Sequence, residues 1–450
     1  MSAWLIQSLL RLRASYYFIP GLMGLIAIGL GILTVSLDLR YQAEIRDLLG
    51  WFFASTVPSA RSILTTIAGS MISVAAVTFS LTMVAVTTAA GQYGPRLIGN
   101  FMRDRANQVT LGMFIATFLY CLVVLRSVTQ EVSVDAQTTI GLTPSLSVLV
   151  ALILTLISVA VLIFFIHHIP ETLNVGTMTG KVSKGAIRQI EAGLFPAGQG
   201  LETADCDPRG NPGEDPFEPG LTQTVRSPES GYVQAISLKG MTEWAQEKGW
   251  RVRLRKVPGD FVMRGDAAMD VIADDRGAPF DADGFRDTVA PQLWAFVATG
   301  RERTVHQNLL FLADELVEIA ARALSPGVND PFTAINCLHW YGHVTLALIE
   351  AGPVGNCVMD RNGVARVWAR SVDVEHLCDT LFGQSRQYIC GDENVSREAL
   401  EILYLLKSRA TDAQQPVFDR HIEGLKTAIA ESGLGEAQKT RLRGGPPYRF

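Results

Sequence analysis

The chain has 450 residues, is 48% apolar and carries a net charge of −5. That charge is unevenly spread: residues 1–170 hold nine arginines, no lysine and six acids for a net of +3, so residues 171–450 carry −8. An acidic second part of this size argues against a nucleic-acid partner, which needs a basic face, and is long enough for one or two folded domains.

Four uncharged stretches in the first part are each long enough to cross a bilayer as helices, at roughly 20 residues per span. They predict spans at about 15–37, 62–94, 106–126 and 146–168. The first follows Arg11 and Arg13 but is too long for a signal-peptide core and lacks a small-residue cleavage site, so it reads as a retained helix. Between the first two spans, Ile45, Leu48, Leu49, Phe52 and Phe53 fall at helical spacing beside Trp51. They predict either an amphipathic helix in the outer interface or a cap on the bundle.

The second span is the most informative. Ser62 to Pro95 contains no charge, is bracketed by Arg61 and Arg96, and repeats Thr66, Ser73, Ser80 and Thr87 every seven residues, with Ser70 between. On an α-helix these five hydroxyls form one stripe. Its 34 residues would reach about 50 Å against ~30 Å of hydrocarbon, so part of the helix must tilt or project. Gly94 and Pro95 predict its end.

Basic residues near the span ends set the orientation. Arg11, Arg13, Arg96, Arg103, Arg105, Lys181, Lys184 and Arg188 lie on one side, against Arg40, Arg46, Arg61 and Arg126 on the other. Both termini are expected in the cytoplasm, with the protein a multi-pass component of the cell inner membrane.

Residues 171–220 read as a helical extension followed by a Pro-, Gly- and acid-rich linker. Residues 221–275 read as a β-rich module. VRSPESGYVQAISL gives turn and strand, GMTEWAQEKG a short helix, WRVRLRKV an alternating strand, and PGDFVMRGDAAMDVIA a Pro-Gly turn and strand. The SGYVQ and PGDFVMRG pieces resemble the hairpins of barrel-sandwich domains, without the modified lysine of the biotinyl and lipoyl carriers. Residues 276–450 are expected to be mainly helical. The fold class is thus a four-helix membrane bundle followed by an α+β soluble region.

The most distinctive soluble stretch is TVHQNLLFLADELVEIAARALSPGVNDPFTAINCLHWYGH. It predicts a helix from near Thr304 to Leu324, a break at Ser325, Pro326 and Gly327, then a second helix capped by Asp330 with Pro331 at its first position and Thr333 following. Asn329-Asp330-Pro331 reads as a helix-turn-helix corner. With Arg301, Arg303, Asp314 and Arg322 near in sequence, it could also contact the membrane domain or bind an ion.

The four spans, VTFSLTMVAVTTAAGQYGPRL, GRERTVHQN and ALSPGVNDPFTAINCL together resemble a family of bacterial predicted membrane proteins known as a domain of unknown function. The likeness runs over nearly the whole chain. It implies a membrane protein and supplies no activity, cofactor or catalytic residue.

Chemistry-bearing motifs are few. His167 and His168 at the end of the fourth span lack the further ligands of a metal site, and no HExxH, phosphate loop or GxSxG elbow occurs. The six cysteines have no CxxC pairing and are expected as reduced thiols. No enzyme activity, metal or cofactor is expected.

Two readings of the hydroxyl stripe remain. Small and hydroxylated residues let helices pack closely. Alternatively, the stripe lines an axis between subunits, with Val77 and Val84 as apolar constrictions and Gln92 and Arg96 at the cytosolic mouth. The absence of an acidic or lysine relay in the spans then favours a passive channel or pore for an ion or small solute, built as a homo-oligomer and gated or assembled by the soluble domain. The competing expectation is a non-transporting scaffold or sensor whose soluble helices dock a partner.

Overall fold

Uncharged runs of this length can bury themselves in hydrocarbon only if every backbone group is bonded within the segment, and all four runs are helical. The computed structural model describes residues 17–41, 57–94, 104–128, 132–135, 138–140, 145–193, 203–204, 222–273, 284–352 and 355–443. In it α1 is Phe18–Arg40, α2 Val57–Tyr93, α3 Arg105–Ser127 and α4 Ser145–Leu173, each long and apolar enough to span a membrane. A short antiparallel hairpin, β1 (Val132–Asp135) and β2 (Thr138–Ile140), joins α3 to α4. The amphipathic segment expected around Ile45–Phe53 lies outside the described residues.

Helix α2 starts earlier than the uncharged run, so Arg61 sits inside its first turns and donates to the Val128 carbonyl at 3.3 Å. It stops at Tyr93, where Gly94 takes φ +121 ahead of Pro95. At ~1.5 Å per residue its 37 residues span about 55 Å. Helix α4 runs through Pro170 to Leu173, because a proline so near the last turn removes little of the helix's bonding.

The bundle core is a narrow stripe. Ala60, Leu64, Ile67, Met71 and Ala75 of α2 pack on Phe114, Tyr120 and Val124 of α3 and on Val148 and Ala151 of α4. Helices α1 and α3 approach closely at Gly112, where a Cβ would fall 2.6 Å from the Met23 sulfur.

Polar pairs fasten both ends of the bundle. Asp38, 2% exposed in the last turn of α1, accepts hydrogen bonds from Leu146 N, Ser147 N and Ser147 Oγ at the start of α4 (3.0, 2.9 and 2.6 Å). Beside it, Tyr120 Oη bonds Thr34 Oγ1 at 2.9 Å and donates to the Ser147 carbonyl at 3.0 Å. At the opposite end Asp104 caps α3, and His168 near the end of α4 lies 3.5 Å from its carboxyl. Asp38 belongs to α1, which runs past the expected end of the first span near residue 37, and it serves as a tie between helices.

A second compact unit begins at Val175. Helix α5 (Val175–Glu191) leads to two sheets. The strands are β3 (Thr203–Ala204), β4 (Thr222–Arg226), β5 (Gly231–Ile236), β6 (Trp250–Leu254), β7 (Phe261–Val262), β8 (Ala267–Ala273), β9 (Val297–Gly300), β10 (Cys357–Met359) and β11 (Ala365–Trp368), with helix α6 (Leu238–Lys248) between β5 and β6 and α7 (Ala290–Trp294) before β9. One sheet has the order β3-β10-β11-β6-β8-β4 and the other β7-β5-β9. Pairing is antiparallel except between β11 and β6. In β6 the alternation is as expected: Trp250, Val252 and Leu254 are buried, and Arg251 and Arg253 lie on the other side. Val252 faces Val271 and Val367 in register, all fully buried.

The strands expected in 221–275 are present, but they do not close a module among themselves. Strands β9, β10 and β11 come from the region expected to be mainly helical, and β3 from the expected linker. The remainder is helical: α8 (Leu309–Ala323), α9 (Pro331–Ala351), α10 (Val374–Cys378), α11 (Gln384–Ile389), α12 (Glu393–Arg409), α13 (Gln415–Glu431) and α14 (Glu436–Arg443). Thr179 of α5 donates to Asn336 of α9 at 2.8 Å, and Gly180 lies against Trp340.

Cys121, Cys337, Cys378 and Cys390 are free thiols, as expected. Cys357 departs from that expectation and is disulfide-bonded. Its β10 partner residue is Ala204, two positions before Cys206, which lies outside the described residues.

Candidate functional site

The hydroxyl stripe of α2 points away from the bundle. Thr66, Ser70, Ser73, Ser80 and Thr87 are all exposed on the single chain, as are Val77 at 59% and Val84 at 61%. The interior-facing hydroxyls of this helix are different residues, Thr78 and Thr82, spaced four apart and about 5% exposed. Close packing within the chain's own bundle therefore does not account for the stripe. Gln92 lies in the last turn of α2 with its side chain outside the described residues, and Arg96 is outside them altogether.

Three stripe hydroxyls satisfy their own donors along the helix. Thr66 donates to Ser62 O and Ser73 to Gly69 O, both at 2.8 Å, and Thr87 to Met83 O at 2.9 Å. Their oxygens still present acceptors outward, and Ser70 and Ser80 have no bond of this kind among the described residues. The contrast with the other outer faces is plain. Helix α4 exposes Ile153, Leu156, Ile163, Phe164 and Ile166, and α1 exposes Leu22, Leu25, Ile26, Ile32 and Leu33, the large apolar surfaces that suit lipid. Among the four, α2 alone turns a stripe of this hydroxylated character outward, flanked by exposed Ile72, Phe79, Leu81 and Met83.

The SPGVNDPF corner is a fully bonded turn. Ser325 Oγ donates to Arg322 O at 2.6 Å, Asn329 takes φ +49 and donates its N–H to Ser325 O at 2.9 Å, and Asp330 N donates to Ala323 O at 2.7 Å. Asp330 then caps α9, accepting from Thr333 N at 3.1 Å and Thr333 Oγ1 at 2.6 Å, with Pro331 opening the helix as expected. Pro326 and Gly327 complete the turn. Burial, and secondarily the charge of Asp330, push the Cys337 thiol well above its ordinary range, so it is inert packing. Outside this bonding, Val328 and Phe332 are exposed, Phe332 at 78%.

The four charged residues near this corner in sequence do not converge on it. Arg303 pairs with Asp314 at 2.5 Å and lies over the Phe311 ring, Arg322 pairs with Glu318 at 3.4 Å, and Arg301 is exposed. No group of three or more His, Cys, Asp or Glu fit to hold a metal occurs among the described residues.

The GRERTVHQN piece does something its spacing did not announce. Gln307 adopts φ +55, and its carboxamide spans Ile236 N (2.9 Å) and Ile236 O (3.2 Å), splicing this segment onto strand β5. Asn308 becomes the cap of α8, accepting from Phe311 N at 3.0 Å, so the helix starts at Leu309 rather than near Thr304. These residues form one wall of a cleft whose other walls hold Gly259, Asp260 and Arg370. Sequence reasoning noted the Pro-Gly turn only as a strand boundary.

A family model described as "Predicted membrane protein (DUF2254)" matches residues 13–404. The chain belongs to this family. Among its relatives are uncharacterized proteins of Mycobacterium tuberculosis, strains CDC 1551 / Oshkosh and H37Rv, and of Mycobacterium bovis. Each is 28% identical over 419 residues, covering 93% of this chain and 75% of the relative. No solved structure matches. In this DUF2254 member the matched region takes in all four spans, both sheets and the SPGVNDPF corner.

Proposed function

We propose that this DUF2254 protein assembles with copies of itself through the outer face of α2 and encloses a passive path for an ion or small solute. The observation that carries the reading is the outward hydroxyl stripe, Thr66 to Thr87, on a helix with no charge between Arg61 and Arg96. Placed against lipid, that face wastes its acceptors; placed around an axis, it offers them to a solute. Val77 and Val84 interrupt the stripe as apolar constrictions. The soluble unit gates or assembles the ring.

One observation favours the scaffold or sensor reading instead. Back-bonding at Thr66, Ser73 and Thr87 already satisfies three donors, which suits a face that rests against another protein. The two readings separate on stoichiometry and current. In liposomes, wild type is expected to form a ring of three or more subunits and to conduct. Ser73→Leu with Ser80→Leu is expected to keep the ring and cut conductance roughly tenfold or more by filling a narrow path with apolar bulk. A monomer, or a current indifferent to the double substitution, overturns the channel.

Orientation belongs to the same reading. Eight basic residues against four argue for a cytosolic soluble unit in the bacterial inner membrane, whereas the disulfide at Cys357 is what an oxidising compartment preserves. A carboxy-terminal green fluorescent protein fusion is expected to fluoresce. An active alkaline phosphatase fusion at the same place reverses the topology.

A further inference from the structure

The cleft beside the start of α8 gathers hydrogen-bond donors that nothing in the chain fully employs. Asn308 is 5% exposed; its Oδ1 is used as the α8 cap, while its Nδ2 has no partner. The carboxamide lies against Gly259, so close that a Cβ there would fall 2.3 Å from Nδ2. Arg303, on the same wall, spends Nη1 on Asp314 and leaves its buried Nε unpartnered. Arg370, more than half exposed, lies 3.8 Å from Asp260. The acid of the cleft, Asp260, accepts from Val257 N at 2.9 Å through Oδ2, and its Oδ1 is the oxygen that faces Arg370.

The N-terminus of α8, a helix of 15 residues, opens into the same space, with Leu309 and Leu310 among its lining. A helix start brings unbonded N–H groups and the positive end of the dipole. A helix start, an orphaned buried amide donor, an orphaned guanidinium nitrogen and an exposed arginine share one requirement, an acceptor-rich anion. Leu254, Val257 and Val372 line the remainder and suit an apolar body.

We propose that this cleft binds a small organic phosphate, its oxygens set on Asn308 Nδ2, the α8 N-terminus and Arg370, its body on the leucine-valine wall. The site stands apart from the transport reading, because occupancy is measured without a current.

The test uses full-length protein in detergent, titrated with phenyl phosphate by calorimetry at an ionic strength matched with sodium chloride. Asn308→Asp keeps an acceptor for the α8 cap but replaces the free donor with a repelling oxygen. Arg370→Gln removes an exposed cation. Each is expected to weaken binding by roughly tenfold or more, the loss of one charge-assisted hydrogen bond. Arg361→Gln, at an exposed cation that does not line the cleft, is expected to leave affinity unchanged.

No heat above the chloride control, or equal affinity in wild type, Asn308→Asp and Arg370→Gln, overturns the proposal. Short-chain phosphatidic acid serves as a further arm. Tighter binding of it than of phenyl phosphate assigns the site to a lipid headgroup, and the reverse order assigns it to a soluble ester; either result supports the site.

Discussion

Replacing Asp38 with alanine is expected to lower the stability of the membrane bundle by about 3 kcal/mol, more than any other single change at its helix ends. Three donors at the start of α4 converge on this one carboxyl group, two of them backbone N–H groups that the helix itself cannot satisfy. Losing an N-cap costs about 0.5–2 kcal/mol, and leaving the buried Ser147 hydroxyl and N–H unbonded adds roughly 1–3 kcal/mol. The Tyr120–Thr34 pair beside it loses its fixed neighbour as well. Asp38→Asn retains one acceptor and is expected to fall between wild type and alanine. The measurement is thermal stability in detergent, followed by size-exclusion chromatography. An alanine variant as heat-stable as wild type sinks the idea that this tie holds α1 to α4.

In the second unit the largest effect is expected at Gly259. Its φ of +103 is open to glycine and strained for any residue with a Cβ, a cost of about 1–3 kcal/mol. A Cβ would also occupy the place of the Asn308 carboxamide. Displacing that side chain uncaps α8, for a further ~0.5–2 kcal/mol. Gly259→Ala is therefore expected to lose about 3 kcal/mol and to weaken phosphate binding at the same time. Gly265→Ala is the matched control, because its φ of +92 is equally glycine-like while its surroundings are open. It should lose only the backbone part. Equal melting temperatures for the two variants would show that the contact with Asn308 contributes nothing.

Legibility in the sequence followed the range of the interactions. Trp250-Arg-Val-Arg-Leu254 announces a half-buried strand by its own alternation. Asp330-Pro331 announces a capped helix, and Gly94-Pro95 a stop, because each device acts within one turn. What could not be read depends on distant partners. Strands β10 and β11 have three and four residues, too few for a pattern, and β11 pairs with β6 more than a hundred positions away. The Asp38 tie reaches across 109 residues to Ser147. The delayed start of α8 needs Gln307 at positive φ, which follows from its bonds to Ile236.

The direction of the α2 stripe was illegible for a different reason. Both sides of the helix bear hydroxyls, Thr78 and Thr82 inward and the heptad series outward, so periodicity alone cannot say which side meets the bundle. The deciding residues are apolar ones, Leu64, Ile67 and Met71, which select the inward side through contact with α3 and α4.

The parallel seam between β6 and β11 has a consequence for how the chain is made. Strands β4 to β8 leave the ribosome about 90 residues before β11 follows, a delay of roughly 5–18 s at ~5–20 residues per second. During that interval the edge of β6 that β11 will cover stays open, an invitation to pair with a neighbouring nascent chain. The four spans, by contrast, are complete before any of this begins. Biogenesis thus anchors the protein first and leaves its most aggregation-prone edge waiting, tethered at the bilayer, for a strand that arrives late.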